Sequence, residues 1–432
     1  MSEWTKCGCL IVVLIAPLVL PGLMGCDSDE EAENQFVIND GQQSNDGPSD
    51  NDPQQNAPQQ NDPTNQNSVD PNNDDPSVWD DAHVEVLLDE TDVALVNDYS
   101  DPLTVEVPQD VHSLAITITE GSPTPAYGVT DWSGPDGFSI VPDGWESSGT
   151  GICYQDCNNR VVVQPGAFGA LAPNNPDSRV TPGTHEFRVF TMDMGGMSFL
   201  HDVSTAQSTN TVRVTVYGKM VDDIVPDTGT LDLNLFFTGA NGWTAASAPD
   251  DPQLQELLVT MDQLYDQVGI EIGEVAYHDV DSSFQVIQDL QTGTGDLAQL
   301  FSESARATLE GPSVFFVEQL SSMFGAVLGI SGGIPGPMLV NGSPRGGVAV
   351  TTDMSGIPDA PSIAQVTAHE LGHYLGLFHT SEQLAFPGMP AHDPLPDTPP
   401  DDESYLMHAA SSGDNMSEWQ GRVMRKNPWV RH

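Results

Sequence analysis

Residues 361–380 read Pro-Ser-Ile-Ala-Gln-Val-Thr-Ala-His-Glu-Leu-Gly-His-Tyr-Leu-Gly-Leu-Phe-His-Thr. His369 and His373 stand four apart, so on a helix they project from one face and can chelate a single ion. Glu370 follows the first histidine, where its carboxylate can reach a water on that ion without occupying the ion itself. Gly376 can take the positive φ that lets a chain leave a helix and turn sharply, and His379 then returns as a third imidazole. Three nitrogen ligands leave one position open for water, as a catalytic zinc needs and a structural zinc lacks. The plainer reading, histidines merely satisfied on a helix face, leaves Glu370, Gly376 and His379 at these offsets to coincidence.

The elements that must position this segment are legible around it. Ile363, Val366 and Leu371 give the helix an apolar surface to bury. Upstream, Leu231 to Phe237 reads as a strand. Asp251 starts a helix with Pro252 in its first turn and an apolar stripe from Leu254 to Val268, which Gly269 ends. Ile270 to Tyr277, Val314 to Val317 and Val348 to Thr351 read as further strands. Residues 330–337, rich in Gly and Pro, suit only an irregular edge. A short final helix is expected after Ser417, with Gln420 completing a capping box and Arg422, Arg425 and Lys426 near its C-terminal end.

His369-Glu370-x-x-His373-x-x-Gly376-x-x-His379 resembles the long zinc-binding signature of the metzincin metalloendopeptidases. Thr380 and the run Asp393-Pro394-Leu395-Pro396-Asp397-Thr398-Pro399 look most like the pappalysin-type bacterial group. The resemblance covers about 225–432, with specific motifs only in 365–426. It implies zinc held by His369, His373 and His379, Glu370 as general base and then acid, and Met407 in a tight turn beneath the metal. It also implies a mixed sheet whose edge strand, from the 330–350 stretch, holds an extended peptide. Related enzymes use the acidic stretch for calcium, which points to Asp393, Asp397, Asp401 and Asp402. A solvated loop stiffened by prolines explains those residues equally well. Ala409 stands where some metzincins carry a tyrosine, and His408 replaces a more usual tyrosine or small residue.

The rest of the chain describes how such a domain would be carried. Short alternating runs such as Leu103 to Val107, Leu114 to Thr119, Phe187 to Phe190 and Val212 to Tyr217, parted by turn clusters, point to an antiparallel sandwich over 80–222. The fold class expected is therefore α+β: a metzincin-like zinc peptidase domain over 223–432, with a mixed sheet and an active-site helix, after an all-β sandwich and a disordered tether. Cys153 and Cys157 fall on one loop of an exported chain and read as a local disulfide. A thiolate that reaches the metal and keeps the enzyme latent is the alternative.

Residues 26–79 are nearly all Asp, Asn, Gln, Ser and Pro, too polar to offset the cost of ordering a backbone, and read as a tether. Before it, Lys6 and the apolar run Leu10 to Leu20 suit a secretory segment over 1–25. Leu23-Met24-Gly25-Cys26 resembles a bacterial lipoprotein signal, with Cys26 acylated to give a membrane anchor. With 63 acidic against 12 basic residues and a formal net charge of −51, nucleic acid is excluded as a partner. The reading is a zinc endopeptidase of the bacterial cell envelope, facing periplasm or exterior, acting on protein or peptide, with calcium a further cofactor. A non-catalytic surface-binding lipoprotein and a self-processing protease are its rivals.

Overall fold

Alternation in the N-terminal half produces strands because successive side chains face opposite sides of a pleated sheet. The computed structural model describes residues 82–432 apart from 149–150, 155–156, 193–209, 222–225, 291–292, 323–324, 354–359, 384–389 and 410–412. The leader, Cys26 and the tether lie outside the described residues. Strands β1 (Ala82–Leu95), β2 (Leu103–Val107), β3 (Val111–Thr119), β4 (Ala126–Ser133) and β5 (Ser139–Val141) are followed by the short pieces β6 (Ile152–Cys153), β7 (Val161–Val162) and β8 (Gln164–Pro165). Then come β9 (Phe168–Ala172), β10 (Gly183–Met192) and β11 (Asn210–Val221). They form two antiparallel sheets, ordered β1-β11-β3-β9 and β2-β10-β4-β5 with β8 paired to β4. Ile116, Val214 and Phe168 of one sheet share a core with Trp132, Phe187 and Val189 of the other, which makes the pair a sandwich.

Beyond it the period changes to alternating strands and helices. In chain order these are β12 (Gly229–Phe237), α1 (Pro252–Asp266), β13 (Ile270–Asp279), β14 (Val286–Ile287), α2 (Asp296–Ser302), β15 (Ser313–Val317), β16 (Gln319–Ser322), β17 (Gly325–Val327), β18 (Gly329–Ser331), β19 (Val348–Thr351) and α3 (Ala360–Tyr374). After α3 follow β20 (Ser381–Gln383), β21 (Pro390–His392), α4 (Glu418–Met424) and β22 (Val430–Arg431). The main sheet runs β13-β12-β15-β19-β18. Its first three pairings are parallel and the last, β18 to β19, is antiparallel. The chain is thus a mixed α+β protein, mostly sheet with few helices.

Local chemistry accounts for the helix ends. Asp251 caps α1 by accepting from the Gln253 and Leu254 backbone N–H groups, Pro252 needs no donor in the first turn, and Gly269 takes φ +70° where the chain turns into β13. Ser417 and Gln420 close a reciprocal capping box at α4. On one face of the main sheet, Leu233, Leu235 and Phe316 pack against Leu257 and Met261 of α1 and Ile363 and Leu371 of α3. On the other face, Phe315 and Ala349 pack against Leu297 and Phe301 of α2.

The two regions share that first core: Ala115 of β3 and Leu171 of β9 belong to it. Polar contacts also join them. Lys219 Nζ donates to the carbonyls of Arg425, Asn427 and Val430, at 2.6, 3.2 and 2.6 Å, and Arg345 Nε donates to the Pro165 carbonyl at 2.9 Å.

Candidate metal centre

Helix α3 carries His369, Glu370 and His373, and its neighbours fix its height and rotation. Tyr265 of α1 donates its hydroxyl to the Ala368 carbonyl at 2.8 Å, one residue before the first histidine. Beneath the helix, Gly372 leaves room for Met407, whose sulfur would stand 2.6 Å from a Cβ at that position. The chain leaves the helix at Gly376 with φ +114°, which disfavours any L side chain there.

The tautomers follow from carbonyls. His369 Nδ1 lies 2.6 Å from the Leu406 carbonyl oxygen and His373 Nδ1 2.7 Å from that of Leu377. A carbonyl oxygen only accepts, so both Nδ1 atoms carry protons and both Nε2 atoms present lone pairs. His379 Nε2 sits 3.3 Å from His369 Nε2 and 3.2 Å from His373 Nε2. At most one of these contacts can be a hydrogen bond, since His379 Nε2 holds at most one proton. A tetrahedral zinc with bonds of about 2.0–2.1 Å sets its nitrogens about 3.3 Å apart, so the donor set fits that ion. Among the described residues this is the only group of three or more His, Cys, Asp or Glu whose ligand atoms converge.

All three histidines and Glu370 are 1% exposed. Burial, helped by the charge of His379, holds the His369 imidazole down to about 3, and burial holds His373 well below its usual range, so both stay neutral and able to bind a metal. Neither oxygen of Glu370 has a hydrogen-bond partner, and burial pushes its carboxyl up to about 8. The Ser331 backbone amide, close to the carboxylate, pulls weakly the other way. A buried carboxylate without a partner is costly and marks a place where a ligand or reactant is to be met. Edge strand β18 runs beside it: a Cβ on Gly329 would fall 2.6 Å from Glu370 Cγ, so glycine alone admits the strand at this distance.

Tyr265 and Gly329 are contributors that sequence reasoning missed. The first read only as one more member of an apolar stripe. A lone glycine in a short strand did carry the signal of a close backbone approach. Met407 lies against Gly372 of α3, fully buried, with its carbonyl accepting from Thr380 N at 2.8 Å. The four aspartates are not drawn together. Asp393 Oδ1 accepts from Thr398 Oγ1 and Leu395 N and Asp402 Oδ1 from Ser404 N, within the loop, whereas Asp397 Oδ2 accepts from Trp419 N of α4; Asp393 Oδ2 and Asp397 Oδ1 are buried without a hydrogen-bond partner. The backbone N–H of Asp401 donates to Ser381 Oγ. Asp393 is buried, which pushes its carboxyl up to about 6. His392 stands apart from the three histidines, with Nδ1 2.6 Å from the Thr380 carbonyl. Cys153 and Cys157 are joined as a disulfide.

No protein-family model matches the chain and no curated protein matches it. Among solved structures it is similar to metalloproteinase-II from Bacteroides fragilis, at 13% identity and a TM-score of 0.29, over 54% of this chain and 66% of that one. It is also similar to a structure described as a chaperone-substrate complex, at 14% identity and a TM-score of 0.25, over 38% of this chain and 25% of that one. The chain therefore spans just under two thirds of the first and a quarter of the second. Overlaps this loose leave function to be argued from the site itself.

The geometry carries a direct prediction. Purified chain dialysed against zinc and then desalted should retain about one zinc per molecule by atomic emission, and His373→Ala should retain essentially none. Equal retention by both would place the ion elsewhere.

Proposed function

We propose that this chain is a zinc-dependent endopeptidase. The observation that supports it above others is the convergence of three imidazoles beside a buried, unpartnered carboxylate and an antiparallel edge strand. His369, His373 and His379 would hold the ion through Nε2. Zinc, when bound, supplies Lewis acidity that polarises a carbonyl and lowers the pKa of water from 15.7 to about 7. Glu370 accepts the proton of the attacking water at a carboxylate oxygen, then delivers it to the nitrogen of the departing amine. Its raised affinity for a proton suits that double duty. The free edge of β18 offers main-chain donors and acceptors to an extended peptide, and Gly329 lets that edge come up to the general base.

In this reading the substrate is protein or peptide and the group is of metzincin type. Acylated Cys26 and the 26–79 tether would hold the enzyme at a bacterial envelope membrane. The test is cleavage of denatured casein by the chain from residue 27, prepared with zinc and calcium, beside its Glu370→Ala twin. New N-termini from the unaltered chain alone are expected. Cleavage by both, or by neither with zinc bound, would sink the endopeptidase reading.

A further inference from the structure

His369 and His373 ride on α3, whose hydrogen-bonded backbone fixes them, but His379 lies beyond the end of that helix. Its place depends on the turn 376–378, and that turn is held from outside the peptidase region. Phe378 is buried in a small cluster with Val162, Ile152, Tyr154 and Ile334, three of the four from the sandwich. The Tyr154 ring meets it edge-on at 6.3 Å, and the Arg160 guanidinium carbon lies 4.0 Å from its ring centroid.

Arg160 is itself immobilised. Its Nε donates to Asn175 Oδ1 at 3.0 Å, its backbone N–H to Asn174 Oδ1 at 2.9 Å, and its carbonyl accepts from Asn174 Nδ2 at 2.7 Å. The Cys153–Cys157 disulfide brackets Tyr154 in the same loop. Two residues before Phe378, a Cβ on Gly376 would come within 3.2 Å of Leu171 Cδ2, from β9 of the sandwich. The sandwich therefore touches the turn at both the residue that starts it and the residue that precedes the ligand.

We infer that the sandwich is part of the metal centre: Arg160, Tyr154 and Leu171 are positioning residues that clamp the 376–378 turn and set His379 within coordinating distance of the other two histidines. This rests on the zinc reading of the three-histidine site. It makes the sandwich a permanent partner of the peptidase fold rather than a spacer or a segment shed on maturation. A clamp of this kind acts through the ligand, so its loss is read first in metal affinity and coordination geometry, before any chemistry.

The test is a Co(II) titration of the full chain, following the visible absorption of a tetrahedral site, with each variant first shown to be folded by circular dichroism. Arg160→Met and Tyr154→Ala should bind Co(II) about tenfold more weakly or worse, with a spectrum shifted toward that of His379→Ala. Tyr154→Phe keeps the ring and should bind as the unaltered chain does. Ser113→Ala removes a hydrogen bond to the Lys426 carbonyl elsewhere in the same interface, so it should lower thermal stability while leaving the affinity unchanged. Folded Arg160→Met and Tyr154→Ala proteins that bind Co(II) normally would overturn the clamp alone, as would an equal loss of affinity in Ser113→Ala. Failure of the unaltered chain to bind Co(II) would overturn the zinc reading and the clamp with it.

Discussion

Glu370→Gln is expected to lower kcat by about 10²–10⁴-fold while leaving zinc content unchanged, because it removes the proton acceptor without touching a ligand. The same variant should stabilise the metal-free protein. In the folded chain both carboxylate oxygens are buried without a partner, whereas in the unfolded chain water solvates them. With the folded carboxyl raised to about 8, the folded state holds more protons than the unfolded state between about pH 4.5 and 8. Stability of the metal-free wild type must therefore fall as pH rises across that window. Glu370→Gln lacks this slope, and at pH 7.5 should unfold later in urea by about 1–3 kcal/mol. The histidines work at the other end. With His369 held down to about 3, the unfolded state binds more protons below about pH 6.5, and stability is lost as pH falls toward 3. Urea midpoints of the two proteins in chelator, measured at pH 5.5 and 7.5, check both signs. A variant that loses activity but gains nothing in stability at pH 7.5 would mean that Glu370 is satisfied in solution.

What could be read in the sequence was whatever depends on near neighbours. The Asp251 cap, the α1 stripe and the Ser417–Gln420 box involve contacts within a turn or two, and the His-Glu-x-x-His helix brings its two histidines together by helical spacing alone. The third histidine was legible because one glycine turn suffices to return it to the other two. Contacts between distant segments were not legible. Tyr265 and Ala368 are 103 residues apart, and nothing in an apolar stripe says which member's hydroxyl will find the carbonyl just before His369. The acidic run 393–402 advertised carboxylates, but spacing alone does not decide whether they converge: Asp393 and Asp402 bond within the loop while Asp397 reaches Trp419 N of α4. Phe378 looked like one more apolar residue in a loop. Its partners, Tyr154 and Arg160, lie more than two hundred residues earlier.

The strands of the sandwich show the same limit from the other side, and they set the second large effect. Period two places Val212, Val214 and Val216 of β11 inward, and so places Arg213, Thr215, Tyr217 and Lys219 on the outer face. Arg213 stays near solvent, paired with Asp89 at 2.7 Å. Lys219 is 2% exposed, because the chain after α4 covers that end of the sheet. Its ammonium meets three carbonyls, of Arg425, Asn427 and Val430, as three donors matched to three acceptors. The first of these is the C-cap carbonyl of α4, which favours a cation, and the other two lie beyond the helix, so Lys219 ties the C-terminal segment to a strand two hundred residues away.

Lys219→Met is therefore expected to keep most of the apolar stem while taking one donor from each of three carbonyls, of which that of Asn427 keeps the Val430 N–H and that of Arg425 still faces His432 Nε2, at a cost of about 2–4 kcal/mol. Burial drives the Lys219 ammonium down to about 7, with the charge of Arg425 pushing the same way. The unfolded state then binds more protons between about pH 7 and 10.5, so this residue makes the wild type more stable as pH rises through that range, a slope Lys219→Met lacks. The carbonyl cage opposes the shift by favouring the charged form, which makes the slope a measure of how far the cage succeeds. Urea unfolding of both proteins at pH 7.5 and 9 separates the contributions. A large deficit at pH 7.5 that persists at pH 9 assigns the loss to the carbonyls. A variant as stable as the wild type at both would mean that water takes the place of the ammonium and that the C-terminal segment does not need this tie to the sandwich.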